Sequence, residues 1–170
     1  MSMSYTLRLA RAEDQAAVDD LLQRSYPALL RADYSADVMQ TIVPLIARAR
    51  PELLASGRYF LLLDGDRAVG VGGYSLAAPG PRGGAVGETE PGLAHIRHVA
   101  TDPALVRQGI GRRLMAAVFS AAEAEGAAQF DCLSTLTAVP FYAALGFAVQ
   151  GPVDLTLAPG MVFPAMRMRR

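Results

Sequence analysis

Hydrophobic and polar positions alternate along Tyr5 to Ala10 (YTLRLA), the pattern of a strand with one buried face. Over Glu13 to Ser25 the period lengthens and gathers Ala16, Ala17, Leu21 and Leu22 on one helical face. Asp33 or Ser35 can cap a second helix running towards Arg50, with Val38, Ile42, Leu45 and Ile46 along one side. Two apolar runs, Arg58 to Asp64 and Arg67 to Ala77, flank Gly65-Asp66 and predict a hairpin with a tight turn. Leu93 to Thr101 (LAHIRHVAT) reads as a further strand. An amphipathic helix from about Ile110 to Glu125 follows, with Ile110, Leu114, Val118 and Ala121 on one face. Gln129 to Thr135 is a strand, Pro140 to Leu145 a short helix stopped by Gly146, and Phe147–Leu157 with Met161–Met168 a closing hairpin. The order β-α-α-β-β-β-α-β-α-β-β predicts an α+β (mixed α/β) fold, a central sheet flanked by helices. No repeat or long linker interrupts it, so residues 1–170 are expected to form one domain.

Between the hairpin and the fourth strand lies a Gly- and Pro-rich loop, Pro79 to Gly92, which is either a plain connection or a lid over a site. The uncharged stretch from Cys132 to Val153 is broken by Pro140, Gly146, Gln150, Gly151 and Pro152. It is therefore read as strand, turn and helix rather than a membrane span. The first fifteen residues contain no apolar run, so no signal peptide is expected.

Charge narrows the function. Sixteen basic residues balance sixteen acidic ones, which removes the accumulated positive charge that drives binding to nucleic acid or anionic membrane. All sixteen basic residues are arginine, excluding lysine Schiff-base chemistry and a Walker-type phosphate lysine. A single cysteine, Cys132, excludes an internal disulfide and a cysteine metal cluster, and suits a reducing cytoplasm. His95 and His98, the two histidines, are too few for a histidine-rich metal site.

The chemistry-bearing feature is the turn Arg107-Gln108-Gly109-Ile110-Gly111-Arg112-Arg113, set between a strand and an amphipathic helix. Its glycines let backbone approach a bulky anion. The first N–H groups of the helix point outward, and the arginines can pair with phosphate oxygens. An ordinary strand-to-helix turn with solvated arginines reads the same way on spacing alone. A dinucleotide fingerprint fits poorly, because its third glycine position is Leu114 and Asp131 falls inside a strand.

Taken together, HIRHVATDPALVRQGIGRRLM and VPFYAALGF, some thirty residues further on, resemble the GCN5-related N-acetyltransferase (GNAT) family, over nearly the whole chain. The resemblance implies a mostly antiparallel sheet with one splayed pair of strands. It also implies acetyl-CoA as acetyl donor, an amine of a small molecule or peptide as acceptor, and no metal. A homodimer would be compatible with it. The family turn, Gln/Arg-x-x-Gly-x-Gly/Ala, is matched at Gly109 and Gly111 but has Val106 at its first position, with Arg107 one place along.

By the same resemblance Arg107, Gln108, Gly109, Ile110, Gly111 and Arg112 would hold the pyrophosphate. Free backbone groups at Val99, Ala100 and Thr101 would hold the pantetheine arm. The general-base position of the histone-acetylating branch, fourteen residues before the first glycine, falls on His95. Strand alternation puts His95, Arg97 and Val99 on one face, with Ile96 and His98 on the other. A histidine can take a proton near neutral pH, or it can be a structural group at a sheet surface; Glu88, Glu90 or a water chain are the alternatives. Tyr142 matches the family tyrosine near the thioether sulfur, where a phenol could protonate the leaving thiolate. Arg97 could hold an acceptor carboxylate or sit in an ion pair, and Tyr26, Tyr34 and Tyr59 are expected on the acceptor side. Cys132, in an apolar strand, reads as inert core. The rival reading is a non-catalytic acyl-CoA-binding module.

Overall fold

The computed structural model describes residues 3–80 and 87–170. Its sheet has seven strands: β1 (Tyr5–Leu9), β2 (Tyr59–Asp64), β3 (Arg67–Ser75), β4 (Leu93–Thr101), β5 (Gln129–Thr135), β6 (Ala148–Ala158) and β7 (Met161–Arg169). They lie in the order β1-β2-β3-β4-β5-β7-β6. Every neighbouring pair is antiparallel except β4 with β5.

Helices cover both faces. On one, α1 (Gln15–Leu30) and the short α2 (Ala36–Thr41), α3 (Val43–Ile46) and α4 (Pro51–Leu54) bury Val18, Leu21, Leu22 and Leu54 against Leu61, Val71 and Ala100. On the other, α5 (Ile110–Ala124) and α6 (Val139–Ala144) pack Met115, Val118 and Tyr142 on Ala94, Ile96, Phe130 and Cys132. The hairpin at Gly65-Asp66 and the extent of β4, β5 and α5 agree closely with the pattern in the sequence. The single helix expected towards Arg50 is instead two pieces, α2 and α3, and a third short helix, α4, starts just beyond it. Pro44 and Pro51 each open a new short helix, because proline lacks the N–H that would continue the preceding one. Leu45 consequently lies exposed rather than in the core.

Two features of β3 and β4 shape everything that follows. First, β3 packs so closely on its neighbours at its glycines that side chains are excluded there. A Cβ on Gly72 would lie 2.9 Å from Val99 Cγ2 and 3.2 Å from Leu114 Cδ2. Second, β4 carries a bulge. Val71 pairs with Ala100 and Gly73 with Arg97, so His98 and Val99 together stand opposite Gly72. His98 adopts φ +51°, left-handed backbone that side chains rarely take.

The bulge resets the strand's alternation. Ile96 and Val99 both pack on the α5 side, while Ala100 belongs to the α1 core. The expected grouping of Val99 with His95 and Arg97, and of His98 with Ile96, is thereby corrected.

Candidate functional site

β4 and β5 are hydrogen-bonded neighbours only at their beginnings, through Leu93–Gln129, Ala94–Phe130 and His95–Asp131. Beyond His95 the two strands separate, leaving a wedge that opens into a cavity of about 510 Å³. Tyr26, Arg50, Arg97, His98, Val99, Cys132, Ser134 and Tyr142 are among its lining residues, with apolar walls from Ile46, Leu53, Leu155, Leu157 and Phe163.

At the outer end of β4 the chain enters the glycine turn. Gly109 caps α5 at φ +81°, with no neighbouring atom within 4 Å of the position a Cβ would take. No side chain caps the helix, and its ladder begins with Arg113 N–H donating to Gly109 O at 2.9 Å. The N–H groups of Ile110, Gly111 and Arg112 therefore lack helical partners, at the positive end of a helix dipole. Arg107, Gln108 and Arg112 are exposed around them, and Ile110 turns inward on Leu62 and Val69. Gly111 is small for another reason: a Cβ there would approach Phe141 Cε2 at 2.8 Å and Thr101 Cγ2 at 3.6 Å. The end of β4, the start of α5 and helix α6 thus meet around this turn.

Two tyrosines fasten the bulge from the α1 side. Tyr59 Oη donates to His98 O at 2.7 Å and Tyr26 Oη to Val99 O at 3.2 Å. The Val99 carbonyl, expected to be free, thus already accepts one hydrogen bond, from Tyr26. Ala100 and Thr101 pair with Val71 and Gly70 on one edge only, the other edge facing the wedge. Tyr26 lines the cavity. Tyr34, expected there too, instead bridges Pro164 O and Leu136 N at 2.8 and 2.9 Å.

Tyr142 is buried on the cavity wall, edge-on to Phe141 and Phe147, and burial holds its phenol protonated well beyond the ordinary range. Cys132 lies beside it, its thiol pushed up to about 12 by burial, which keeps it un-ionised and un-nucleophilic at neutral pH.

The structure does not bring His95 to this cavity. At the level of His95 the strands are still paired, and its side chain turns to Asp131, with Nδ1 3.6 Å from Oδ2. Asp131 also takes Arg167 at 3.1 Å and Arg169 at 3.5 Å; burial raises its carboxyl, and the bonds from His95 and Arg167 outweigh that and lower it. Glu88 and Glu90 are exposed and do not line the cavity either. Of the Pro79–Gly92 loop, residues 81–86 lie outside the described residues; Ala78 bonds to Glu88 O and Gly87 across its base.

His98, rather than His95, is among the residues that line the cavity. Its Nε2 lies 2.8 Å from Ile46 O, and its Nδ1 is buried without a partner among the described residues. The contact with a carbonyl requires the proton on Nε2, leaving a bare lone pair on Nδ1. Burial, together with Arg50 and Arg97, takes its pKa down to about 4 despite the Ile46 bond, so the ring is neutral. Alternation along β4 pointed His98 the other way, and the bulge leaves no mark in the sequence.

A splayed β4–β5 pair beside an uncapped, glycine-led helix is the arrangement that the resemblance in the sequence implies. The comparisons agree. An acetyltransferase (GNAT) domain model matches residues 30–170, and the chain belongs to that family. Among solved structures it resembles a PaiA N-acetyltransferase from Thermoplasma acidophilum in complex with coenzyme A, at 13% identity and TM-score 0.73 over 99% of both chains. It is also similar to a GCN5-related N-acetyltransferase from Rhodopseudomonas palustris, at 20% identity and TM-score 0.74, over 100% of this chain and 98% of that one. N-acetylglutamate synthase from Neisseria gonorrhoeae, complexed with coenzyme A and N-acetyl-glutamate, gives 15% identity and TM-score 0.62 over 100% of this chain and 35% of that one. At these identities the likeness is one of fold. Comparison with curated protein sequences gives no match. No helix among the described residues is long and apolar enough to cross a membrane.

Proposed function

We propose that this chain transfers the acetyl group of acetyl-CoA directly to an amine. The observation that carries the reading is that β4, which lines the Tyr142-walled cavity as far as Val99, runs on with one edge open to the uncapped turn of α5. The fit to the donor is good on two counts. The space over Gly109 is empty where a side chain would stand, and Arg107 and Arg112 have no ion-pair partner among the described residues. In this reading Arg107, Gln108, Gly109, Ile110, Gly111 and Arg112 hold the pyrophosphate, and the wedge edge of Val99, Ala100 and Thr101 holds the pantetheine arm.

Acetyl-CoA supplies, when bound, an acetyl carbon activated as a thioester. In the overall change the C–S bond breaks and a C–N bond forms; the amine loses a proton and the sulfur gains one. His98 Nδ1, neutral and unpartnered, accepts a hydrogen bond from the amine N–H and so turns the nitrogen lone pair towards the carbonyl carbon. Tyr142, kept protonated by burial, donates its proton to the departing sulfur. The amine proton leaves to water at the cavity mouth, and a proton taken up from that water restores the Tyr142 phenol, so the protein ends the turnover unchanged. His95 has no part in this scheme.

The test is release of free thiol from acetyl-CoA against a panel of primary amines, with the acetylated product identified by mass spectrometry. Thermal stabilisation by CoA but not by NAD should accompany it. Stabilisation by CoA with no amine-dependent thiol release would favour the non-catalytic acyl-CoA-binding module.

A further inference from the structure

Arg97 projects from β4 into the cavity wall, with a residue exposure of only 6%. Its one hydrogen bond goes to a neutral group, Ser75 Oγ at 3.1 Å, and that hydroxyl is itself committed to Ala77 O at 2.7 Å. No carboxylate of the described residues lies within ion-pairing distance of it. A guanidinium has five N–H donors in a fixed fork, and burying one without an anion is costly unless something else completes it. The protein's other buried charges are completed internally: Asp102, for example, takes Arg24 at 2.6 Å and Arg67 at 3.2 Å.

A second guanidinium, Arg50, lines the same cavity and is in no ion pair among the described residues. The carboxylates in the neighbourhood are Glu52, which acts on Arg97 through space, and Asp154, exposed on β6 at the cavity rim. Neither closes the fork. Apolar side chains from α3, α4, β6 and β7 form much of the remaining wall, namely Ile46, Leu53, Leu155, Leu157 and Phe163, with Thr156 among them.

We propose that Arg97, with Arg50, binds a carboxylate of the acceptor, and that the acceptor is an amino carboxylic acid with an apolar body. Planar, bidentate recognition of a carboxylate is what a buried guanidinium provides, and the apolar wall takes the rest of the molecule. The inference rests on the acetyl-transfer reading for the identity of the reacting amine, but not for the carboxylate itself.

Phenylalanine, phenylalaninamide and phenethylamine carry the same amine and ring with and without the carboxylate. They are compared in thiol release from acetyl-CoA, and in calorimetric binding to the CoA-loaded protein. The wild-type protein should favour phenylalanine at least tenfold over the other two. In Arg97→Lys and Arg97→Met the ratio of acid to amide, measured within each variant, should fall towards one. The wild-type comparison needs no variant, so misfolding of Arg97→Met cannot obscure the result. Equal or better use of the neutral amines, with thiol released, overturns the carboxylate site and leaves acetyl transfer standing. Binding that prefers phenylalanine with no thiol released from any amine supports the site and overturns the transfer. Absence of both binding preference and release overturns both.

Discussion

The hydroxyl of Tyr59, from β2, donates to the carbonyl of His98 at 2.7 Å, and the Tyr59 ring lies fully inside the α1-side core. The bond crosses beneath β3 and secures the bulge, a few residues beyond the last pair of β4 with β5. Tyr59→Phe keeps the ring and removes only the donor, leaving a buried carbonyl without its partner. We expect a loss of about 1–3 kcal/mol in urea unfolding, as for other orphaned buried polar groups. Weakened amine turnover should accompany it, since His98 loses its anchor.

The glycine turn yields a pair of contrasting variants. At Gly109 the backbone is left-handed but the space above it is open, and asparagine tolerates that conformation. Gly109→Asn should therefore melt near the wild-type temperature yet lose its thermal stabilisation by CoA, the new side chain standing in the pyrophosphate's place. Gly111→Ala behaves differently. Its Cβ presses on Phe141, and overpacking of this kind costs roughly 1–3 kcal/mol of stability even without ligand.

Most of the fold is legible in the residue pattern because the strands and α5 bury one continuous face each. The glycine turn is legible because its residue types are the chemistry. Strand alternation, however, assumes an unbroken β4. The bulge at His98–Val99 inserts one residue, so every inference carried along the strand changes face beyond Arg97. Arg97 lies before the bulge, and its cavity position was readable. His98 lies at the bulge and was not. That His95 does not line the cavity has another reason: counting back from Gly109 fixes a position along the strand, but not whether the neighbouring strand has yet parted from it.

Protonation of His98 should govern acid stability in a defined window. Its folded pKa of about 4 lies below the ordinary 6.5, so protons bind the unfolded chain more tightly. The stability tied to its neutral form is complete above about pH 6.5 and is lost as pH falls to about 4, a total of roughly 3 kcal/mol at 1.36 kcal/mol per unit. Glu125, lowered to about 2 by Arg58 and then Tyr74, titrates in a separate window below its ordinary 4.5. Urea midpoints between pH 7 and 4 should decline in the wild type and stay flatter in His98→Asn, whose asparagine accepts the left-handed backbone.

The same neutrality sets the pH dependence of turnover. With His98 neutral at pH 6.5, kcat/KM should climb with pH until the acceptor amine itself is deprotonated. His95→Gln should leave that profile in place. A limb near pH 6.5 that disappears in His95→Gln would return the base to the position first expected for it.

Tyr142→Phe separates binding from chemistry. Packing against Phe141 and Phe147 survives the change, so CoA affinity should remain within a few-fold. Loss of a general acid typically costs ~10²–10⁴-fold, and we expect kcat to fall by that order. Full activity in this variant would mean that solvent protonates the sulfur.

Direct transfer, with no acetyl group held on the protein, is tested most simply by intact mass. The enzyme is incubated with acetyl-CoA alone, its mass is measured, and an amine acceptor is then added. The protein should remain unmodified in the first step, because Cys132 is an un-ionised thiol at neutral pH. Thiol and acetylated amine should then appear together in equal amounts. A protein that gains an acetyl group at Cys132 before the amine is added, and passes it on afterwards, would contradict direct transfer.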